Sequence, residues 1–126
     1  MNAELIYKEE SYQIIGCCME VYNNLRPGFL EGVYQEALAL EFENAGVEFV
    51  QEAPLTILYK GKPLLKKYFA DFLCFSKIIV EIKAVSNLAP DHYAQVKNYI
   101  AATGLKLGLL VNFGNPEKLE YSRVLA

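Results

Sequence analysis

The chain has 126 residues, 53% of them hydrophobic and 21% charged, which is enough for one folded domain over residues 1–126 with a buried core. Its net charge of −3 excludes an overall basic surface of the kind that binds nucleic acid nonspecifically, so a nucleic-acid groove would have to be local or completed by a partner. No apolar run reaches the roughly 18 residues that a membrane-spanning helix needs, so no membrane partner is expected.

Two amphipathic helices are predicted at the start of the chain, at about residues 3–24 and 29–45. Apolar residues at spacings of three and four give each helix one apolar face. In the first helix these residues are Ile14, Cys18, Val21 and Leu25, and in the second they are Leu30, Val33, Tyr34, Ala37, Leu38 and Phe42. Arg26-Pro27-Gly28 ends the first helix, and Gly46 stands where a left-handed cap would end the second.

Strands follow, with one further helix among them. Apolar and β-branched residues predict strands at about 47–53, 55–59, 64–75, 77–85, 105–113 and 119–125. A turn, Lys60-Gly61-Lys62-Pro63, separates the second and third strands, and a helix at about 91–103 precedes the fifth. This order predicts an α/β fold with a mixed central sheet flanked by helices. The crossover through the last helix would make the 105–113 strand parallel to an earlier one.

Asp71 and the sequence Glu81-Ile82-Lys83 lie on two of these strands, which a short turn joins. Side chains alternate between the two faces of a strand, so Glu81 and Lys83 share a face. A three-residue turn at 75–77 or a five-residue turn at 74–78 would pair Asp71 with Glu81, whereas a turn of even length would place Asp71 on the other face. The spacing leaves both parities open.

Two carboxylates held close together repel each other unless a cation lies between them. Carboxylate oxygens are hard ligands that suit Mg²⁺ or Mn²⁺, and such an ion can polarise a phosphoryl oxygen and lower the pKa of a bound water. Lys83 would then orient or deprotonate the attacking water, or stabilise the developing charge. The alternative is an ordinary surface strand whose opposite charges pair across the strands.

Two further pairs of polar residues have the spacing of one helix face. Glu31 and Tyr34 are three apart near the start of the second helix, and Gln95 and Tyr99 are four apart on one face of the last helix. Each pair also fits ordinary helix-end electrostatics or a solvated edge. His92, the only histidine, fits a cap or a packing residue better than a metal ligand.

Lysines and cysteines give two further indications. Lys60, Lys62, Lys66 and Lys67 form a basic stretch around a turn, which would meet a phosphate backbone or, more ordinarily, form a solvated hairpin. The three cysteines have no metal-type spacing, which predicts reduced, mostly buried thiols and a cytoplasmic protein. They are Cys17, Cys18 and Cys74.

In chain order, the residues singled out above match one family. The sequence Gly28-Phe29-Leu30-Glu31-Gly32-Val33-Tyr34 fits the pattern GxxExxY, and it is followed in order by Ala70-Asp71, Glu81-Ile82-Lys83, His92-Tyr93-Ala94-Gln95, Asn98-Tyr99 and a tail at 102–114. From about residue 10 to residue 125, the chain resembles the GxxExxY proteins, a branch of the PD-(D/E)XK nuclease-like superfamily. Each motif alone is degenerate, but the whole set in this order is specific.

This resemblance implies a restriction-endonuclease-like αβββαβ core and the odd turn parity. It implies that Asp71 and Glu81 are metal ligands, that Lys83 is catalytic, and that Glu31 completes or supports the metal site. Gln95 and Tyr99 match the Gln-x-x-x-Tyr motif of the recombination-type exonuclease branch, which implies that both contribute to the active site.

Two positions depart from the family pattern. Ala70 replaces a proline that is often replaced, so little is lost. Phe69 stands where this branch commonly has an arginine, which removes one phosphate contact.

The resemblance therefore implies a nuclease that uses Mg²⁺ or Mn²⁺ to hydrolyse phosphodiester bonds of DNA or RNA. The alternative is a non-catalytic module that keeps the fold and binds nucleic acid, a protein partner or a second copy of itself as a homo-oligomer. The acidic composition and small size favour the module. The close set of Asp71, Glu81 and Lys83 favours the nuclease, because a binding module has no need of it. Hydrolysis of another phosphate ester is a third hypothesis.

Overall fold

The computed structural model describes residues 6–126, in which three helices and five strands are formed. In chain order they are α1 (Lys8–Leu25), α2 (Glu31–Ala45), β1 (Phe49–Tyr59), β2 (Lys62–Cys74), β3 (Ile78–Lys83), α3 (Pro90–Thr103), β4 (Leu107–Asn112) and β5 (Glu120–Leu125). The run from α2 to β4 has the order αβββαβ, which confirms the core that the resemblance implied. Within the described part of the chain, no helix is both long and apolar enough to cross a membrane.

The strands form one mixed sheet in the order β1-β2-β3-β4-β5, in which β3 and β4 run parallel and the other neighbours antiparallel. Helix α3 connects β3 to β4, so the predicted crossover is confirmed. Helices α1 and α2 pack on one face of the sheet, against Phe72 and Val80 among others. Helix α3 packs on the other face, where Val96 meets Ile79 and Leu110.

One predicted boundary between strands is wrong. Strand β1 runs through both of the segments predicted at 47–53 and 55–59. Pro54 lies inside it, opposite Phe69 of β2. Proline cannot donate to a strand ladder, but β1 is an edge strand, where a missing N–H is tolerated. The proline therefore does not divide the strand as the sequence suggested.

Helix α2 begins at Glu31, two residues later than predicted, and its apolar face is correspondingly shorter. Leu30 precedes the helix and is 83% exposed, and Val33 is also exposed, so their predicted place in the core is wrong. Gly46 ends the helix with a φ of 73°, which confirms the left-handed cap. The larger residues of the predicted face are buried, namely Tyr34, Leu38 and Phe42.

Helix α1 begins at Lys8, and the part of its prediction at residues 3–5 lies outside the described residues. Ile14 and Val21 of the predicted apolar face are buried against the sheet. The three cysteines are free and buried, as predicted; they are Cys17, Cys18 and Cys74.

Two glycines allow close approach of the chain to itself, and they differ in what a side chain would meet. A Cβ at Gly114 would lie 2.5 Å from the backbone N and O of Val85. A Cβ at Gly108 would lie 2.8 Å from the side-chain carbons of Val96 and Ile100. Side-chain carbons can rotate away, whereas the backbone at Val85 is held by its neighbours.

We therefore expect Gly114→Ala to lower the free energy of unfolding by about 2–3 kcal/mol and Gly108→Ala by about 1 kcal/mol or less. Urea unfolding of the two variants beside the wild type measures the difference. Equal losses would show that the backbone near Val85 yields as easily as the side chains under α3.

Candidate metal centre

The turn between β2 and β3 determines how Asp71 lies relative to Glu81. The connection is three residues long, at 75–77, which is the odd parity. Phe75 and Ser76 have φ values of 56° and 58°, and two successive residues of this left-handed kind let a tight hairpin follow the twist of its strands. Continuing the observed register toward the site brings Asp71 opposite Glu81.

Strand β2 loses the regular alternation of its side chains at Asp71. Ala70 packs on the α3 side of the sheet, whereas Phe72 packs on the side of α1 and α2. In a regular strand, residues two apart share a face, so the strand rotates between these two residues. On β1, Gln51 pairs with Phe72 and Ala53 with Ala70, and Glu52 between them has a φ of 51°, so the neighbouring strand is distorted at the same point. The predicted register holds, but the regular alternation assumed for it does not.

Asp71 and Glu81 each accept a hydrogen bond from the backbone of the other's strand. The N–H of Asp71 donates to Oε1 of Glu81 at 3.1 Å, and the N–H of Ile82 donates to Oδ2 of Asp71 at 2.9 Å. Carboxylate oxygens thus take positions that backbone carbonyls occupy in an ordinary ladder. Backbone donors on two strands therefore hold both carboxyl groups in the gap between β2 and β3.

Both carboxyl groups bind their protons more tightly than usual. Burial raises the pKa of Asp71 despite the hydrogen bond from Ile82, and the charge of Glu52 adds to the increase. Burial, followed by the charge of Asp71, raises the pKa of Glu81 to about 7. The pair therefore binds a proton more tightly than two separate carboxyl groups would, and a divalent cation between the two groups would compete with that proton.

Tyr68 is a part of the site that the sequence reasoning missed. Its hydroxyl donates to Oε1 of Glu81, and burial together with the charge of Glu81 raises the pKa of this phenol. Its ring stacks on that of Tyr99, with the centroids 3.5 Å apart and the planes at 5°. Tyr99 is thereby linked to Glu81 through Tyr68. Regular alternation would put Tyr68 and Asp71 on opposite faces, so the sequence carries no signal for this contact.

Lys83 and Glu31 approach the two carboxyl groups from β3 and α2. Lys83 is half-buried, two residues after Glu81, and its carbonyl accepts a hydrogen bond of 2.8 Å from Phe113 N–H. Burial raises the pKa of Glu31; the positive charges of Lys83 and His92 oppose this increase and the charge of Asp71 adds to it. Glu31, on the first turn of α2, therefore lies within electrostatic range of the centre.

The motif GxxExxY shapes the loop that presents Glu31. Gly28 has a φ of 128°, a conformation that side chains other than that of glycine rarely allow. The hydroxyl of Tyr34 donates to the carbonyl of Arg26 at 2.7 Å and accepts from the N–H of Phe29 at 3.1 Å. Tyr34 is thus a positioning residue, which ties the loop to α2 just before Glu31.

Among the described residues, neither Gln95 nor His92 forms a hydrogen bond with Asp71 or Glu81. Gln95 is exposed on α3, one turn before Tyr99. His92 accepts a hydrogen bond of 2.9 Å from Ala89 N–H at its Nδ1, which confirms the predicted cap.

A second missed residue, Gln35, donates to Oε1 of Glu52 at 2.9 Å and to the carbonyl of Asp71 at 3.4 Å.

These residues fit a hard divalent cation, with a protein contribution of two carboxylates. Among residues 6–126, no group of three or more acidic, histidine or cysteine side chains is close enough to form a complete metal cage. Mg²⁺ ordinarily needs no such cage, since one or two carboxylates bind it together with waters and substrate phosphates. Asp71 and Glu81, with their excess negative charge, match that pattern.

The raised pKa of Glu81 should make the metal-free protein less stable as the pH rises. Below about pH 4.5 the group is protonated in both the folded and the unfolded state. Between there and about pH 7 the unfolded chain loses this proton first, so the free energy of unfolding falls. Glu81→Gln removes the ionisation, and we expect it to gain about 1–3 kcal/mol over the wild type between about pH 5 and pH 8.

Urea unfolding in EDTA at the two pH values measures this gain. Glu43→Gln, at an exposed position near the end of α2, is the matched control and should follow the wild type. A stability difference between Glu81→Gln and the wild type that stays constant with pH would contradict the raised pKa.

Comparison with solved structures identifies a likeness to the crystal structure of SSO0001. The TM-score is 0.55 and the identity 21%, over 75% of this chain and 48% of SSO0001, so this chain spans about half the length of that protein and shares its fold. Comparison with curated proteins finds no match. The family model described as the PD-(D/E)XK nuclease superfamily matches residues 8–124, which include Asp71, Glu81 and Lys83. The chain therefore belongs to the PD-(D/E)XK nuclease superfamily.

Proposed function

We propose that this protein is a divalent-metal-dependent nuclease of the GxxExxY branch that hydrolyses phosphodiester bonds of DNA or RNA. The observation that carries the proposal is the exchange of hydrogen bonds by which Asp71 and Glu81 are held together at raised pKa. Superfamily membership implies nucleic-acid binding, and nucleases of this superfamily generally use divalent metals.

Asp71 and Glu81 would hold Mg²⁺ or Mn²⁺. The bound ion would supply Lewis-acid polarisation of the scissile phosphate and balance the charge of the two carboxylates. Lys83 follows Glu81 by two residues, so its ammonium group would orient or deprotonate the attacking water, or stabilise charge that develops on the phosphate. Tyr68 keeps Glu81 oriented by donating a hydrogen bond from its hydroxyl to Oε1.

Two helices would complete the active site. Support for Glu31 comes from its electrostatic coupling to Lys83 and Asp71. Support for Tyr99 comes from its stacking on Tyr68, which makes it a positioning residue for the Glu81 carboxylate. Gln95 is exposed on the same helix, where a substrate phosphate can reach it.

Loss of either carboxylate should weaken metal binding strongly. We expect calorimetric titration with Mn²⁺ at neutral pH to show binding by the wild type, and at least tenfold weaker binding by Asp71→Ala and Glu81→Ala, because two carboxylates are the protein's main contribution to the site. Glu43→Ala, which removes an exposed carboxylate of α2, is the control and should bind as the wild type does. Cleavage of DNA or RNA that persists undiminished in purified Glu81→Ala would refute the proposed nuclease site.

Lys83→Ala should separate catalysis from metal binding. We expect it to lower the cleavage rate about 10²- to 10³-fold while Mn²⁺ affinity stays within about threefold of the wild type, because the ammonium group acts on water or phosphate rather than on the metal. Lys106→Ala, at an exposed position before β4, is the control and should leave the rate unchanged. A nucleic-acid or protein complex that forms equally well without metal and with Asp71→Ala, with no cleavage by the wild type, would instead support the non-catalytic module.

A further inference from the structure

Strands β1 and β2 continue together well beyond the part of the sheet that β3 joins. Strand β2 pairs with β3 over residues 72–74, but it pairs with β1 as far as Tyr59 opposite Lys62. Leu55 and Tyr68 still pack under α3. Beyond them, residues 56–67 form a two-stranded ribbon whose residues are exposed, apart from the half-buried Ile57. We call these residues the β1–β2 arm.

The β1–β2 arm is a concentrated positive charge on an acidic protein. It contains four lysines and no acidic residue, so the rest of the chain carries a formal charge of −7 when the whole carries −3. Its lysines are Lys60, Lys62, Lys66 and Lys67. Charges more than about 10 Å apart are largely screened at ordinary ionic strength, so the arm presents its own field to a partner.

Apolar side chains on the β1–β2 arm also face solvent. Leu58 is 50% exposed, Tyr59 is 61% exposed and Leu65 is fully exposed. Exposed apolar side chains beside basic ones on one short ribbon suit an interaction surface. The surrounding lysines select a polyanion as the partner, and a two-stranded ribbon has the width that the major groove of B-form DNA admits, about 12 Å.

We propose that the β1–β2 arm binds duplex DNA, with its lysines on the phosphate backbone and its exposed apolar side chains toward the groove. This inference rests on the proposed nuclease function, since it identifies the substrate of that site. Lys67 is four residues from Asp71 along β2 and Lys62 is nine, which at about 3.3 Å per residue are distances of roughly 13 and 30 Å. At about 3.4 Å per base pair, the arm therefore extends along roughly four to nine base-pair steps of DNA from a phosphate held at Asp71. In RNA duplexes the corresponding groove is too narrow for a ribbon.

A triple substitution, Lys60→Gln with Lys62→Gln and Lys66→Gln, tests the arm. Lys67 is left in place because its Nζ donates to Oγ1 of Thr56 at 3.1 Å, a hydrogen bond within the arm. The matched control is Lys8→Gln with Lys106→Gln and Lys118→Gln, which removes the same charge from exposed positions outside the arm. Fluorescence anisotropy with a labelled DNA duplex in EDTA, over roughly 50–200 mM salt, gives the affinity and its salt dependence without cleavage.

For the arm variant we expect at least tenfold weaker binding near 0.1 M salt, and a log–log salt slope lower by about two to three, because each phosphate that no longer meets a lysine lowers the slope by close to one. The control should stay within about twofold of the wild type. Equally weakened binding in both triple variants would trace binding to net charge and overturn the proposal, as would a wild type that does not bind duplex DNA. An arm-dependent effect confined to duplex RNA, or to vesicles of anionic phospholipid, would also overturn it.

The two proposals fail separately in this experiment. Arm-dependent binding of DNA by a wild type that never cleaves it with Mg²⁺ or Mn²⁺ would support the DNA-binding arm and refute the nuclease function. Metal-dependent cleavage with an unchanged salt slope in the arm variant would support the nuclease function and refute the DNA-binding arm.

Discussion

The exchange of hydrogen bonds between Asp71 and Glu81 and the backbones of the opposite strands is the constraint on which the rest of the site depends. Because carboxylate oxygens replace carbonyl partners, β2 and β3 separate at this point, and β2 rotates between Ala70 and Phe72. The rotation turns Tyr68 toward α3, where its ring stacks on Tyr99 and its hydroxyl reaches Glu81. The interruption of the β2–β3 ladder thus links β2 and α3 to the carboxyl group of Glu81 on β3.

A second polar network holds the chain just after Lys83. The side-chain amide of Asn112 accepts from Val85 N–H at 2.9 Å and donates to the carbonyl of Val85 at 2.8 Å. Oε1 of Glu120 accepts from that amide at 3.0 Å and from Leu88 N–H at 3.1 Å, so β4 and β5 together hold the loop that leads to α3. This partly buried network leaves none of the described buried side-chain polar atoms without a partner, and it holds the end of β3 and the start of α3 in fixed relation. The tyrosine of the GxxExxY motif does the same for the loop before α2.

The sequence predicts those features that depend on local chemistry and chain order. Helix positions, the parallel crossover and the cap at Gly46 follow from periodicity, turn residues and chain order. The pairing of Asp71 with Glu81 follows only from the resemblance, because the spacing leaves both turn parities open. Features that depend on tertiary context cannot be predicted from local sequence. Pro54 predicts the end of a strand unless β1 is known to be an edge strand. Nothing about Glu52 indicates a positive φ, since glutamate rarely adopts one. The contact of Tyr68 with Glu81 depends on the break in alternation between Ala70 and Phe72, which no local sequence pattern signals.

Two half-buried carboxyl groups facing each other work against folding, as their raised pKa values show. Within residues 6–126 Lys83 forms no salt bridge with either of them, so an ordinary cross-strand ion pair does not account for their presence. Proteins break local rules of this kind chiefly at functional sites, where a ligand offsets the cost. Lys83 acts on Asp71 through its charge without a direct ion pair, and four of the chain's other lysines lie on the β1–β2 arm. Because the negative centre is separate from the positive arm, the two carboxylates are left to bind a cation and the arm is left to bind a polyanion. This separation reconciles the net charge of −3 with a nucleic-acid partner.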